Sequence, residues 1–352
     1  MSKDPAGKPV IINVNIERQE KDKIRIAAEL IRNGGLVAFP TETVYGLGAN
    51  ALNPEAVASI FRAKNRPADN PIIVHVADKE EVYKLTKDVP VIAEDLMDFF
   101  WPGPLTLIIK KSEIVPYVTT GGLDTVAIRM PDHRISLALI EESGVPIAAP
   151  SANTAGKPSP TNAKHVIEDL GAKVDIILDG GPTMIGVEST VLDLTSSRPK
   201  ILRPGGITSE ELMEFLGAID PAGIEMEREV ALSPGMKHKH YAPNSDMIVV
   251  EGDDFEIVVR KVQELADEHM KKGKKVGIMA TSESPAYDAD IVKIAGSRAD
   301  PRTIARNLFE ILRGFDDQRV DIILVEGVET KGIGLAIMDR LERAAGHRVI
   351  RV

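Results

Sequence analysis

Apolar and polar positions alternate along the first 220 residues with two periods, and the periods take turns. Lys21 to Asn33 has helical spacing (Ile24, Ala27, Ala28, Ile31) and meets its stop at Asn33-Gly34-Gly35. Leu36 to Pro40 reads as a short buried strand. Asn53-Pro54 predicts an N-cap followed by proline at the first helical position, with Val57, Ile60 and Phe61 along one face. That helix is expected to end near Arg66, because Pro67 pushes the preceding residue out of the α region. Pro71 to Val76 predicts a strand, Asp78 with Glu81 a capped short helix, and Val91 to Phe100 a helix broken at Trp101-Pro102-Gly103-Pro104. Further strands are predicted at Leu105–Lys110, Thr125–Met130, Val145–Ala149, Val174–Leu178, Val187–Leu194 and Ile201–Leu202. Thr208 with Glu211 opens one more helix, which ends at Gly217.

Residues 221 to 245 break the pattern with scattered charges and few apolar positions, and they read as a linker. From 246 the alternation restarts. Strands are predicted at Met247–Val250, Val276–Ala280, Ile291–Ile294 and Ile322–Val325, separated by helical stretches near 254–272, 300–313 and 335–345. That spacing suggests a parallel, doubly wound sheet. The expected organisation is a domain over 1–220, a linker over 221–245 and a second α/β domain over 246–352.

Composition narrows the classes. At 352 residues and 43% hydrophobic, the chain can bury two cores. No apolar run approaches the roughly 20 residues of a membrane span. The start, MSKDPAGKPV, lacks the apolar stretch of a signal peptide, so the expectation is a cytoplasmic protein without membrane contact. The absence of cysteine excludes disulfides, thiol catalysis and cysteine-ligated metals. A net charge of -10 and 4% aromatics argue against a protein that coats nucleic acid, although a local basic groove is compatible with both.

Several residues stand out chemically. Arg62, Lys64 and Arg66 put three cations at a helix end, suited to polyphosphate or simply to solvent. His75 shares a strand face with Ile73, which is the usual place of a core histidine. Arg129 lies mid-strand with Thr125 and Ala127, and a buried guanidinium needs an anion. That anion is either a structural carboxylate or the carboxylate of a substrate. The polar loop P-S-A-N-T-A-G-K-P-S-P at 150–160 follows a buried strand, the place where open α/β sheets bind ligands. G-V-E-S-T at 186–190 and R-P-G-G at 203–206 set a hydroxyl and a guanidinium beside glycines. His238 and His240 lack a third metal ligand nearby, and Gly332-Ile-Gly334 is only part of a dinucleotide fingerprint. No Ser-His-Asp, HExxH or Walker pattern occurs, so an enzyme here would work by positioning and electrostatics.

Together the segments are more specific than any one alone. T-E-T-V-Y-G-L-G at 41–48, K-N-R-P at 64–67, N-P-I-I-V-H at 70–75, W-P-G-P-L-T at 101–106, P-S-A-N at 150–153, G-V-E-S-T-V at 186–191 and R-P-G at 203–205 resemble the YrdC-domain family in order and spacing. P-G-M-K-H-K-H-Y-A-P at 234–243 and G-L-A-I-M-D-R-L at 334–341 resemble the linker and second domain of its long form. The resemblance implies a YrdC-like twisted, open mixed sheet flanked by helices, followed by a smaller Rossmann-like parallel α/β domain. It also implies a nucleotidyltransferase that makes L-threonylcarbamoyl-AMP and pyrophosphate from L-threonine, bicarbonate or CO₂, and ATP. That is the first step of threonylcarbamoyladenosine modification of tRNA.

By the same resemblance Lys64, Arg66, Ser151 and Asn153 form the catalytic set, with Lys64 and Arg66 on the phosphates. Arg66, Asn70, Thr125, Ser151, Ser159, Arg203 and Tyr241 would contact ATP, and Thr43, His75, Arg129 and Ser189 would surround threonine. Mg²⁺ would be held mainly by phosphate oxygens, and the linker carrying Tyr241 would fold back as a lid. Contact with tRNA or with a KEOPS-like transferase complex is a further implication. The competing expectations are a non-catalytic RNA-binding module and a regulatory nucleotide site within 246–352.

Overall fold

The protein is described from a computed structural model, which covers residues 8–15, 20–220 and 241–352. Most of the expected linker, including His238 and His240, lies outside the described residues. The chain divides into two compact units, one of Met1–Ala155, Ser159–Met184 and Glu188–Lys237, the other of Gly156–Pro158, Ile185–Val187 and His238–Val352.

The first unit is built on ten strands: β1 Val10–Asn13, β2 Val37–Phe39, β3 Gly46–Asn50, β4 Val74–His75, β5 Leu105–Lys110, β6 Thr125–Arg129, β7 Ile147–Ala148, β8 Ile176–Asp179, β9 Thr190–Asp193 and β10 Lys200–Arg203. They form one mixed sheet in the order β1-β8-β2-β3-β7-β4-β6-β5-β9-β10. Strand alternation decides what each face does. Val74 and Ile128 join Leu47, Ile60 and Leu107 in the main core under the helices. Their strand neighbours Ile73, Ala127, Ile108 and Val191 form only a small separate cluster on the opposite face. His75 and Arg129, the strand neighbours of Val74 and Ile128, fall on that second face.

The helix Pro54–Lys64 shows how local chemistry places them. Asn53 accepts hydrogen bonds from the backbone of Glu55 and Ala56, and Pro54 fills the first helical position. The helix stops two residues before Arg66 because Asn65 turns left-handed, with φ 53°. Arg62 therefore stays on the exposed helix and bonds Ser59, while Lys64 and Arg66 diverge to separate partners. The strands predicted at Pro71–Val76 and Val187–Leu194 are shorter than expected, since their flanks bend into loops. β3, Gly-Leu-Gly-Ala-Asn, has too much glycine to read as a strand. The reason is packing: a Cβ at Gly48 would lie 2.7 Å from Phe39 and 2.8 Å from Ile147.

In the second unit β11 Asp246–Glu251, β12 Val276–Ala280, β13 Ile291–Ile294, β14 Ile322–Glu326 and β15 Val349–Arg351 form an all-parallel sheet in the order β13-β12-β14-β11-β15. Helices Phe255–Lys271, Pro301–Asp317 and Gly334–Ala344 accompany the strands. Val258, Val262, Ile278 and Leu324 give the unit its own core. Gly334 has a local explanation, because a Cβ there would meet the Glu329 carbonyl at 1.9 Å. Among the described residues no helix is long and apolar enough to cross a membrane.

Candidate active site

β4 and β6 are parallel, so their beginnings lie at one edge of the sheet and their ends, His75 and Arg129, pair at the other. β7 runs antiparallel to β4, which returns the Ser151–Asn153 loop to the edge where β4 begins. Topology thus sets the Ser151–Asn153 loop by the beginning of β4, and His75 and Arg129 at the ends of β4 and β6.

The first subsite holds Lys64, Arg66, Asn70, Ser151 and Asn153. Lys64 is buried, and its ammonium donates to the carbonyls of Ser151 and Asn153, both at 2.5 Å. Burial, with Arg66 nearby, pushes its pKa well below the usual lysine value, and Asp169 opposes the shift. Lys64 therefore fixes the shape of the P-S-A-N loop. Arg66 donates to the carbonyls of Asn70 and Pro71 at 3.3 and 3.2 Å. The Asn70 side-chain carbonyl is buried and accepts no hydrogen bond. Such an atom is costly to bury unpaired, and it suits a ligand donor. Thr125 opens β6, four residues and roughly 13 Å from Arg129.

The second subsite is organised by Arg129. Its Nη1 donates to the Thr43 hydroxyl at 3.0 Å and its Nε to the Gly103 carbonyl at 3.2 Å, while Nη2 lies 2.6 Å from Glu42 Oε2. The loop between β2 and β3, which carries Glu42 and Thr43, thus folds over the sheet face onto the guanidinium. His75 is buried with an unpartnered Nδ1, and burial, then the Arg129 charge, drive its pKa down to about 3. His75 is therefore a neutral imidazole. Ser189 shares a hydrogen bond of 2.8 Å with Thr106, and its carbonyl and hydroxyl accept from Arg203 at 2.9 and 3.2 Å. Ser159 donates to Glu188 at 2.6 Å, which ties the 150–160 loop to the 186–190 loop.

The structure brings Lys64 to Ser151 and Asn153, Arg66 to Asn70, Thr43 to Arg129, and Ser189 to Arg203. Tyr241 belongs to the second unit, where its ring stacks on Phe309 at 5.3 Å beneath Arg340. Glu42, Thr106 and Glu188 were not singled out by sequence reasoning. The signal for Glu42 was available, since a strand arginine demands an anion and a structural carboxylate was one of the two options. No group of three or more His, Cys, Asp or Glu suited to a metal occurs among the described residues. The oxygens on offer are hydroxyls and amides. They can complete the shell of a hard cation that phosphate already holds.

Comparison with known proteins identifies the family. The Sua5_yciO_yrdC family, described as telomere recombination, matches residues 29–205, and the family described as threonylcarbamoyl-AMP synthase, C-terminal domain, matches residues 207–346. The threonylcarbamoyl-AMP synthase of Pyrococcus abyssi is 56% identical over 345 residues, covering 97% of this chain and 99% of that protein. Its Bacillus subtilis counterpart is 50% identical over 345 residues, covering 97% and 98%. The crystal structure of P. abyssi Sua5 complexed with L-threonine superposes with a TM-score of 0.94, covering 97% of this chain and 99% of that one.

Proposed function

This chain belongs to the threonylcarbamoyl-AMP synthase (Sua5/YrdC) family, and we propose that it makes L-threonylcarbamoyl-AMP from L-threonine, bicarbonate or CO₂, and ATP, releasing pyrophosphate. The observation that carries the reading is that the motif residues gather into two clusters, one built by Lys64 on the P-S-A-N loop, the other by Arg129 with Thr43. Arg129 and Thr43 take the threonine carboxylate and hydroxyl region, with Ser189 and the neutral His75 as uncharged neighbours. Arg66, Asn70, Thr125, Ser159 and Arg203 line the nucleotide side.

The threonine nitrogen, as the free amine, bonds to the carbon of CO₂ as a C–O π bond opens and its proton passes to solvent. The resulting carbamate is already an anionic oxygen nucleophile, so the phosphorus step needs no strong general base. A carbamate oxygen bonds to the α-phosphorus as the bond from that phosphorus to the pyrophosphate oxygen breaks in line. Two anions must meet, and the cations Arg66 and Arg129 offset their repulsion. Holding them in near-attack geometry supplies much of the rest. Mg²⁺, held by phosphate oxygens with Ser151 and Asn153, would supply further charge neutralisation. Exclusion of water from the closed site would protect the mixed anhydride. The site of action is the cytoplasm, and the product passes to a transferase acting on tRNA.

The test is pyrophosphate release by the purified protein. Release is expected only with ATP, threonine and bicarbonate all present. Release that persists without threonine would remove the assigned substrate.

A further inference from the structure

Glu42 is 4% exposed, and neither of its carboxylate oxygens accepts a hydrogen bond. Oε2 touches Arg129 Nη2 at 2.6 Å, yet the N–H is not aligned on it, so the two charges meet without a hydrogen bond. Leaving a carboxylate this dry is costly unless something else donates to it. Arg129, by contrast, is already steered by Thr43 and the Gly103 carbonyl. Its orientation does not require Glu42.

A buried anion and cation side by side are the electrostatic complement of an α-amino acid zwitterion. We propose that Glu42 is a substrate-recognition residue whose carboxylate accepts the α-ammonium of threonine while Arg129 binds the α-carboxylate. The inference rests on the reading of the Arg129 pocket as the amino-acid subsite. The pair also selects zwitterions over simple hydroxy acids, which carry a carboxylate but no ammonium.

The experiment measures binding of L-threonine and of its desamino counterpart 3-hydroxybutyrate by calorimetry to the full chain and to two variants. Glu42→Gln keeps the volume and removes the charge. It is expected to weaken threonine at least tenfold and to leave 3-hydroxybutyrate unchanged or tighter. Equal weakening of both ligands, or of neither, overturns the role of Glu42. Arg129→Ala is the control for the underlying reading and is expected to weaken both. If it weakens neither, the pocket itself is misassigned. Should Glu42→Gln fold poorly, Glu42→Asp, which retains the charge on a shorter arm, is expected to keep the preference for threonine over 3-hydroxybutyrate; loss of that preference in Glu42→Asp also overturns the proposal.

Discussion

Arg129 and His75 end neighbouring strands, and burial acts on them in different ways. The guanidinium is surrounded by Glu42, Thr43 and the Gly103 carbonyl. The imidazole has no anion of its own, lies next to that cation, and stays neutral down to about pH 3. Linkage gives this a measurable sign. An unfolded chain takes up a proton at His75 as pH falls through about 6.5, whereas the folded chain does so only near 3. Folding stability is therefore unaffected by His75 above about pH 6.5. Below that it is lost progressively down to about 3, at no more than roughly 1.4 kcal/mol per pH unit. In His75→Gln, the urea midpoint between pH 6.5 and 4 is expected to fall less steeply than in the parent. Parallel slopes would mean that His75 already carries a proton in the folded state.

Helices announce themselves through their ends, and the helix Ser209–Leu216 is the clearest case. Thr208 accepts from the Glu211 backbone, and the Glu211 carboxylate accepts from the Thr208 backbone in return. Thr208→Ala should cost about 1 kcal/mol, a fall in Tm of roughly 2–4 °C by calorimetry, with pyrophosphate release unchanged. A drop in turnover would mean that the helix does more than scaffold. The same explicit signals made Asn53-Pro54 and the parallel strands β11 to β14 legible in the sequence. Face alternation on β4, β5 and β6 was equally plain, because period-two patterns survive translation into a sheet. The β3 strand was not legible, since its identity rests on Phe39 and Ile147 crowding Gly48 from other strands. Glu42 was hidden for a similar reason. The sequence says that Arg129 needs an anion, but only the fold of the β2–β3 loop says which one.

At the scale of the whole molecule, the membership of the second unit is informative. It takes in two short excursions of the N-terminal sequence, Gly156–Pro158 and Ile185–Val187. Arg313 of the helix Pro301–Asp317 donates to the Pro158 carbonyl at 2.5 Å. Gly186 has a φ of 84°, and a Cβ there would lie 2.3 Å from the Ala305 carbonyl oxygen and 2.5 Å from the Arg306 Cα. Only glycine serves at such a close approach in the left-handed region. Each excursion leads straight into residues of the candidate site, Ser159 after the first and Glu188-Ser189 after the second, and Ser159 and Glu188 are bonded to each other. Within the second unit, one helix thereby meets both excursions. Gly186→Val puts a branched side chain against backbone that cannot yield and should shift the second stem. Turnover in the pyrophosphate assay is expected to fall at least tenfold, with a rise in the threonine KM, because Ser189 lies three residues on. The KM for ATP should move less, since Lys64 and Arg66 are anchored elsewhere. A variant that loses Tm but keeps both KM values would confine the glycine to folding.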